Sequence, residues 1–153
     1  MALVYNIYFH MKTIKRFLAS TLFFLFILLL IILADLDQKN LIIDLGRSVP
    51  FGDKIGHFIL FGTLALLLNM ALQFKRIHLK LRTFHLGSVI VFAFASVEEF
   101  TQLAFSTRTF DLVDMLFDLL GIGLLSSVAF RRFIIKTLQR FTQYLIEHLH
   151  VKT

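Results

Sequence analysis

The sequence predicts an all-α membrane protein, a four-transmembrane-helix bundle with both termini cytoplasmic and a C-terminal amphipathic helix. Three observations predict it. The 153 residues are 58% hydrophobic with a mean hydropathy of +0.80, against roughly 45–50% apolar residues in soluble domains. Four apolar segments divide the chain. Basic residues gather in alternate connections, as they do when one side faces the cytoplasm. A soluble bundle would have to bury nearly the whole chain, and a chain this short cannot shield so much. Nineteen Phe, one Pro and no Trp fit long apolar helices. The absence of Cys excludes disulfides, zinc-thiolate sites and thiol nucleophiles.

The first segment, "FLASTLFFLFILLLIILA", runs from Phe17 to Ala34 and suits a hydrocarbon core that needs about 20 helical residues. No small-x-small cleavage motif follows, so it reads as a retained anchor and not a cleaved signal. "MKTIKRF" at Met11 has the form of a bacterial start, so both Met1 and Met11 stand as candidate starts, residues 1–10 being an upstream extension in the second case. The second segment spans His57 to Phe74. The third runs from about Thr83 to Phe100 and is shorter in its uncharged part. The fourth, Leu112 to Phe130, carries two acids in its first half. Beyond it, Ile134, Leu138, Phe141, Leu145 and Leu149 recur at steps of three and four, while Lys136, Gln139, Arg140, Gln143 and Glu147 fill the opposite side. That pattern suits a helix lying in the inner-leaflet interface, with a dimerising helix as the alternative. No repeat or linker intervenes. The organisation is a cytoplasmic N-terminus, 1–16, one four-span membrane domain, 17–130, and an amphipathic cytoplasmic tail, 131–153.

Orientation follows from the charges. Lys12, Lys15 and Arg16 precede the first segment. Lys75, Arg76, Lys80 and Arg82 separate the second from the third, and Arg131, Arg132, Lys136, Arg140 and Lys152 follow the fourth. Twelve of the sixteen Lys and Arg therefore lie on one side, which places both termini inside. The acids partition oppositely, with only Glu147 on the basic side. The net charge of +6 is thus a cytoplasmic anchor, and no nucleic-acid partner is expected.

The acids concentrate in "SVEEFTQLAFSTRTFDLVDMLFDLLGIG", residues 96–123. Asp111, Asp114 and Asp118 are three and four residues apart and share one helix face. Asp118 is about 10 Å further into the span than Asp111 at 1.5 Å per residue. An ionised Asp at mid-bilayer costs on the order of 3 kcal/mol, so Asp118 must face the bundle interior. Glu99 and Gln102 point the same way at the end of the third span, and Glu98 reads as a solvated interfacial residue. The short return carries Arg108. The second span opens at the same rim with Asp53, Lys54 and His57, one turn apart. Asp111 and Asp114 also suit a plain role as caps for the fourth helix. Gly121, Gly123 and Ser127 read as a close-packing stripe. "GIG" has no strand or phosphate loop around it, which excludes a nucleotide reading.

"DKIGHFILFGTLALLL" followed some way on by "EFTQLAFSTRTFDLVDMLFDLLG" resembles the VanZ-like family of small bacterial integral membrane proteins. Asp53, Lys54 and His57 fit the family's Asp-Lys-x-x-His opening of one span. Glu99, Gln102, Arg108, Asp111, Asp114 and Gly121 fit its second block, and the resemblance covers roughly residues 15–130. The family usually has Asn where this chain has Asp118. The resemblance implies a multi-pass protein of the bacterial cytoplasmic membrane and an envelope role, since the family's namesake is associated with resistance to the lipid-tailed glycopeptide teicoplanin.

Three functions fit the residues. The rim binds a polar head group, on membrane lipids, a lipid-linked cell-wall precursor or a lipoglycopeptide. Alternatively, His57 or Glu99 acts as general acid or base on such a lipid, with Lys54 and Arg108 clamping an anion. A proton-coupled transporter with Asp118 as the titrating group comes last, because the inner halves of the third and fourth spans offer little beyond Ser88, Ser126 and Ser127. No cofactor is expected. No metal is expected either: one His among carboxylates does not favour zinc, and any metal here would be hard and oxygen-ligated.

Overall fold

The computed structural model describes residues 2–36, 48–80, 82–105 and 109–150. Helix α1 spans Ala2–Asp35, α2 Gly52–Ala71, α3 Leu86–Thr101, α4 Leu112–Leu125 and α5 Val128–His150. A 3-10 turn, Gln102–Ala104, closes α3. Among the described residues three helical stretches, Ile14–Asp35, Gly52–Ala71 and Leu86–Ala104, are long and apolar enough to cross a membrane.

The strictly helical reading needs one correction. Strands β1 (Arg76–Leu79) and β2 (Arg82–His85) form an antiparallel hairpin between α2 and α3, pairing Ile77 with Phe84 and Leu79 with Arg82. The segment "RIHLKLRTFH" supports this because apolar and polar residues alternate with period two, not with a helical period. Lys80 takes the left-handed conformation, φ 53°, which a two-residue hairpin connection requires. The third helix consequently starts at Leu86, not near Thr83.

A second boundary also moves. The fourth apolar segment does not run unbroken to Phe130: α4 stops at Leu125, a turn follows at Ser126 and Ser127, and α5 begins at Val128. Serine competes with the helix for hydrogen bonds, and here the Ser126 hydroxyl bonds to neighbouring helices instead. The 14 residues of α4 extend about 21 Å, short of a hydrocarbon core of about 30 Å.

Helix α2 is the axis of the bundle and touches α1, α3 and α4. Ile27, Phe61, Leu64, Ala65, Val91, Ala95 and Ile122 form the apolar core, with Phe23, Phe24 and Phe94 packed against it. The rings of Phe24 and Phe94 meet edge to face at 5.1 Å. The outer faces remain apolar. On α1 alone Leu18, Leu22, Leu25, Leu29 and Ile32 are each about half exposed. In water that would forgo about 4–8 kcal/mol at roughly 1.5–3 kcal/mol per fully buried side chain, comparable with the whole stability of a domain. With α2, α3 and α4 repeating the pattern through Ile59, Ile90, Val97, Leu116 and Leu120, lipid is the medium that makes such faces stable. The chain is a membrane protein.

Helices α2 and α4 approach backbone to backbone at two glycines. A Cβ added to Gly62 would lie 2.8 Å from the Gly121 carbonyl carbon, and one added to Gly121 would run into the Phe58 carbonyl oxygen. Small residues let membrane helices approach this closely. Gly123, expected on the same stripe, is exposed and faces open space, since two residues along a helix turn it away from the contact.

Candidate functional site

The Gly62–Gly121 contact fixes what happens one turn toward the starts of α2 and α4. The two helices run parallel, so residues that precede each glycine are brought level. Lys54 Nζ thereby donates to Asp111 Oδ2 at 2.8 Å and to Asp114 Oδ1 at 2.9 Å. His57 Nδ1 lies 3.1 Å from Asp118 Oδ1. Asp118 has no basic residue near it in sequence, and its partner comes from 61 positions away.

Helix α3 supplies the third wall. It runs opposite to α2 and α4, so its last turn meets their first turns. Gln102 Nε2 donates to Glu99 Oε2 at 3.0 Å, as their spacing of three predicts, and more weakly to the two oxygens of Glu98 at 3.2 and 3.3 Å. The backbone N–H of Asp111 donates to Glu99 Oε1 at 2.6 Å, tying the end of α3 to the start of α4. Asp111 is also the N-cap of α4, its Oδ1 accepting from the Val113 N–H at 2.8 Å. Capping and site membership therefore coexist in one side chain. The Lys54 ammonium, and then the Val113 N–H, hold the Asp111 carboxyl below the usual carboxylate range.

Burial separates the members. Glu99 and Asp118 are wholly inaccessible, and His57, Glu98, Gln102 and Asp114 are also buried. Asp53 is exposed at the edge, although one of its oxygens can come within 4.8 Å of ligating atoms of His57 and Asp114. Glu98 corrects the expectation of a solvated interfacial residue. It lies one turn before Gln102, and the tightening of α3 into a 3-10 turn leaves both adjacent glutamates under the same amide. Two successive acids closing an apolar helix were the sequence signal for it. Of the nine sequence-predicted site residues, Lys54, His57, Glu99, Gln102, Asp111, Asp114 and Asp118 converge, Asp53 lies at the margin, and Arg108 falls outside the described residues.

Chemically, the cluster combines buried carboxylates, an ammonium and an imidazole whose Nδ1 is engaged by a carboxylate. One oxygen, Asp118 Oδ2, is buried with no hydrogen-bond partner. Such atoms are rare, because leaving a buried acceptor unsatisfied costs about 1–3 kcal/mol.

A second polar contact, not anticipated from sequence, lies about 18 Å deeper at 1.5 Å per residue along α2. Asn69 Nδ2 donates to Ser88 Oγ at 2.8 Å and to Ser126 Oγ at 3.0 Å, and the two serines bond to each other at 3.0 Å. A lone Asn inside "LLLNMAL" was its sequence signal.

No curated protein and no solved structure matches the chain. The family profile described as VanZ/LLP1 matches residues 2–135, which takes in all four apolar segments and every residue of the rim cluster. By that match, and by the Asp53-Lys54-His57 and Glu99-Gln102-Asp111-Asp114 blocks brought together here, the chain belongs to the VanZ/LLP1 family.

Proposed function

We propose that the protein crosses the bacterial cytoplasmic membrane four times with both termini inside, and that its rim cluster faces outward and binds the polar head group of an envelope lipid or lipid-linked ligand. The charge pattern supports the orientation: the hairpin carrying Arg76, Lys80 and Arg82 stands at the end of the bundle opposite the acids. The observation that carries the binding reading is the burial of Glu98, Glu99, Gln102, Asp114, Asp118 and His57 together at one end of the bundle. Ionisable groups inside a membrane are expensive and are kept where they do something. At the level of the family this fits an envelope role of the teicoplanin-resistance type.

The test is native mass spectrometry of the purified protein beside its Glu99→Ala variant. Retention of a phospholipid or lipid-linked phosphate by the wild type and its loss in the variant is the expected result. Equal lipid retention by both would reduce the rim to an ion-pair network joining the helices.

One contact favours an enzymatic second reading. Asp118 orients the His57 imidazole through Nδ1, the arrangement in which a carboxylate prepares a histidine for acid–base work. Turnover of a lipid phosphate by wild type and not by His57→Gln would select it. A proton-transport reading gains no support, because Phe61, Leu64, Ala65, Val91, Ala95 and Ile122 form an apolar layer between the rim and the Asn69 contact.

A further inference from the structure

Beside the Lys54 ion pairs the rim brings a second set of ligating atoms together. His57, Glu98 and Glu99 each offer one such atom, the three atoms lie within 4.8 Å of one another, and all three residues are buried. Around a divalent ion with bonds near 2.1 Å, neighbouring ligand atoms stand about 3–3.5 Å apart, so small side-chain rotations close the set. The competing trio Asp53, His57 and Asp114 is weaker, since Asp53 is exposed and Asp114 is held by the Lys54 ammonium at 2.9 Å.

Three further features point to a cation at this place. His57 turns Nδ1 toward Asp118, which leaves Nε2 as the nitrogen for a metal; a carboxylate behind the imidazole is the usual support of a ligating histidine. Glu99 is held in the same manner, its oxygens accepting from Gln102 and the Asp111 N–H. Asp118 itself is wholly buried and its Oδ2 has no hydrogen-bond partner, so negative charge beside His57 is incompletely offset. The rim as a whole repeats the imbalance. By sequence the segments that build the rim carry six acids, Asp53, Glu98, Glu99, Asp111, Asp114 and Asp118, against three bases, Lys54, His57 and Arg108. Six acids against three bases in a low-dielectric setting favour uptake of a dication.

We propose that His57, Glu98 and Glu99 are the ligands of a divalent metal site, with manganese(II) the first candidate and Asp118 the residue that positions the imidazole. One imidazole with carboxylates suits manganese better than a thiol-preferring metal. This revises the expectation from sequence that the rim holds no metal. The ion also explains how an acidic rim would attract an anionic head group, by bridging to it. That last step rests on the head-group reading, whereas the metal site does not.

The experiment uses the full chain in lipid nanodiscs, stripped with chelator and titrated with manganese(II) under electron paramagnetic resonance. The expected result is one ion per chain with the nitrogen modulation of a bound imidazole, and a thermal shift upward on metal addition. Glu98→Gln/Glu99→Gln should weaken binding at least about 10-fold, and Asp118→Asn about 10- to 100-fold, while Asp53→Asn, at the exposed margin, weakens it by no more than about 3-fold. Wild type that takes up no manganese to about 1 mM, or binds it without nitrogen modulation, overturns the proposal without any variant having to fold. Equal loss in Asp53→Asn and in the glutamate pair also overturns it. Lipid retention by metal-stripped protein is measured apart, so the metal site and the head-group site can fail separately.

Discussion

Among the described residues two polar clusters interrupt this apolar bundle, and they are built differently. The one at Asn69 is neutral. Asn69, Ser88 and Ser126 come from three elements and bond mainly to one another. Its spare oxygen, Asn69 Oδ1, sits where a Cβ on Gly87 would be only 2.5 Å away, so the helices close over it. The rim cluster is charged, carries more acids than bases, and opens at the end of the bundle through Lys54 and the exposed Asp53. Hydrogen bonds between membrane helices are worth only about 0.6 kcal/mol each on average, so a neutral knot is sufficient to fasten α2, α3 and α4. Fastening does not require four buried carboxylates. What the contrast teaches is that buried polar groups can serve fastening alone, whereas the buried carboxylates of the rim exceed what fastening needs.

The comparison can be broken at several points. The largest effect is expected from Gly121→Val, because its side chain would be driven into the Phe58 carbonyl and separate α2 from α4. Overpacking of this kind costs about 1–3 kcal/mol or more, and both clusters depend on the same contact. Loss of the folded peak in size-exclusion chromatography checks it; a stable Gly121→Val protein would mean that the close approach is not what aligns the clusters.

Next comes Lys54→Met, which leaves Asp111 and Asp114 without their shared ammonium. Breaking a buried pair costs about 3–5 kcal/mol, and the half-open position of this one reduces the expectation to about 1–3 kcal/mol. A melting temperature equal to wild type would show that solvent replaces the lysine freely. Asn69→Ala should cost about 1 kcal/mol, two membrane hydrogen bonds, since Ser88 and Ser126 remain bonded to each other. It should leave lipid retention unchanged, which separates the fastening cluster from the proposed binding cluster at the rim.

The smallest effect is in acid. Asp111 is held below its ordinary value of 3.8 by Lys54 and the Val113 N–H. A depressed carboxyl contributes stability fully above its unfolded pKa, and that contribution disappears as pH falls through the lower folded value. The wild type should therefore lose melting temperature below about pH 4 more steeply than Asp111→Asn. Parallel curves for the two proteins would remove Asp111 from the stabilising set.

Much of this was legible in the sequence because it is local. Helical spacing puts Asp111, Asp114 and Asp118 on one face and Glu99 with Gln102, and the structure keeps both relations. Glu98 was misread because spacing describes a regular helix, and α3 tightens at Gln102. The hairpin at Arg76–His85 escapes the sequence reading, which takes its first strand for a plain connection and starts the third span at Thr83 within its second, because short amphipathic stretches are judged poorly beside long apolar ones.

The sequence by itself determined the medium, the helical class, the family resemblance and the end of the bundle that carries the acids, because these follow from composition, periodicity and charge counts along the chain. Only the tertiary structure decided that His57 answers Asp118, that Lys54 serves two aspartates, and that Asn69 ties down two serines. Each of those pairings joins residues far apart in the chain, and its distance is set by how closely two helix backbones approach at Gly62 and Gly121. Backbone approach is a property of packed surfaces, which no linear pattern of residues contains.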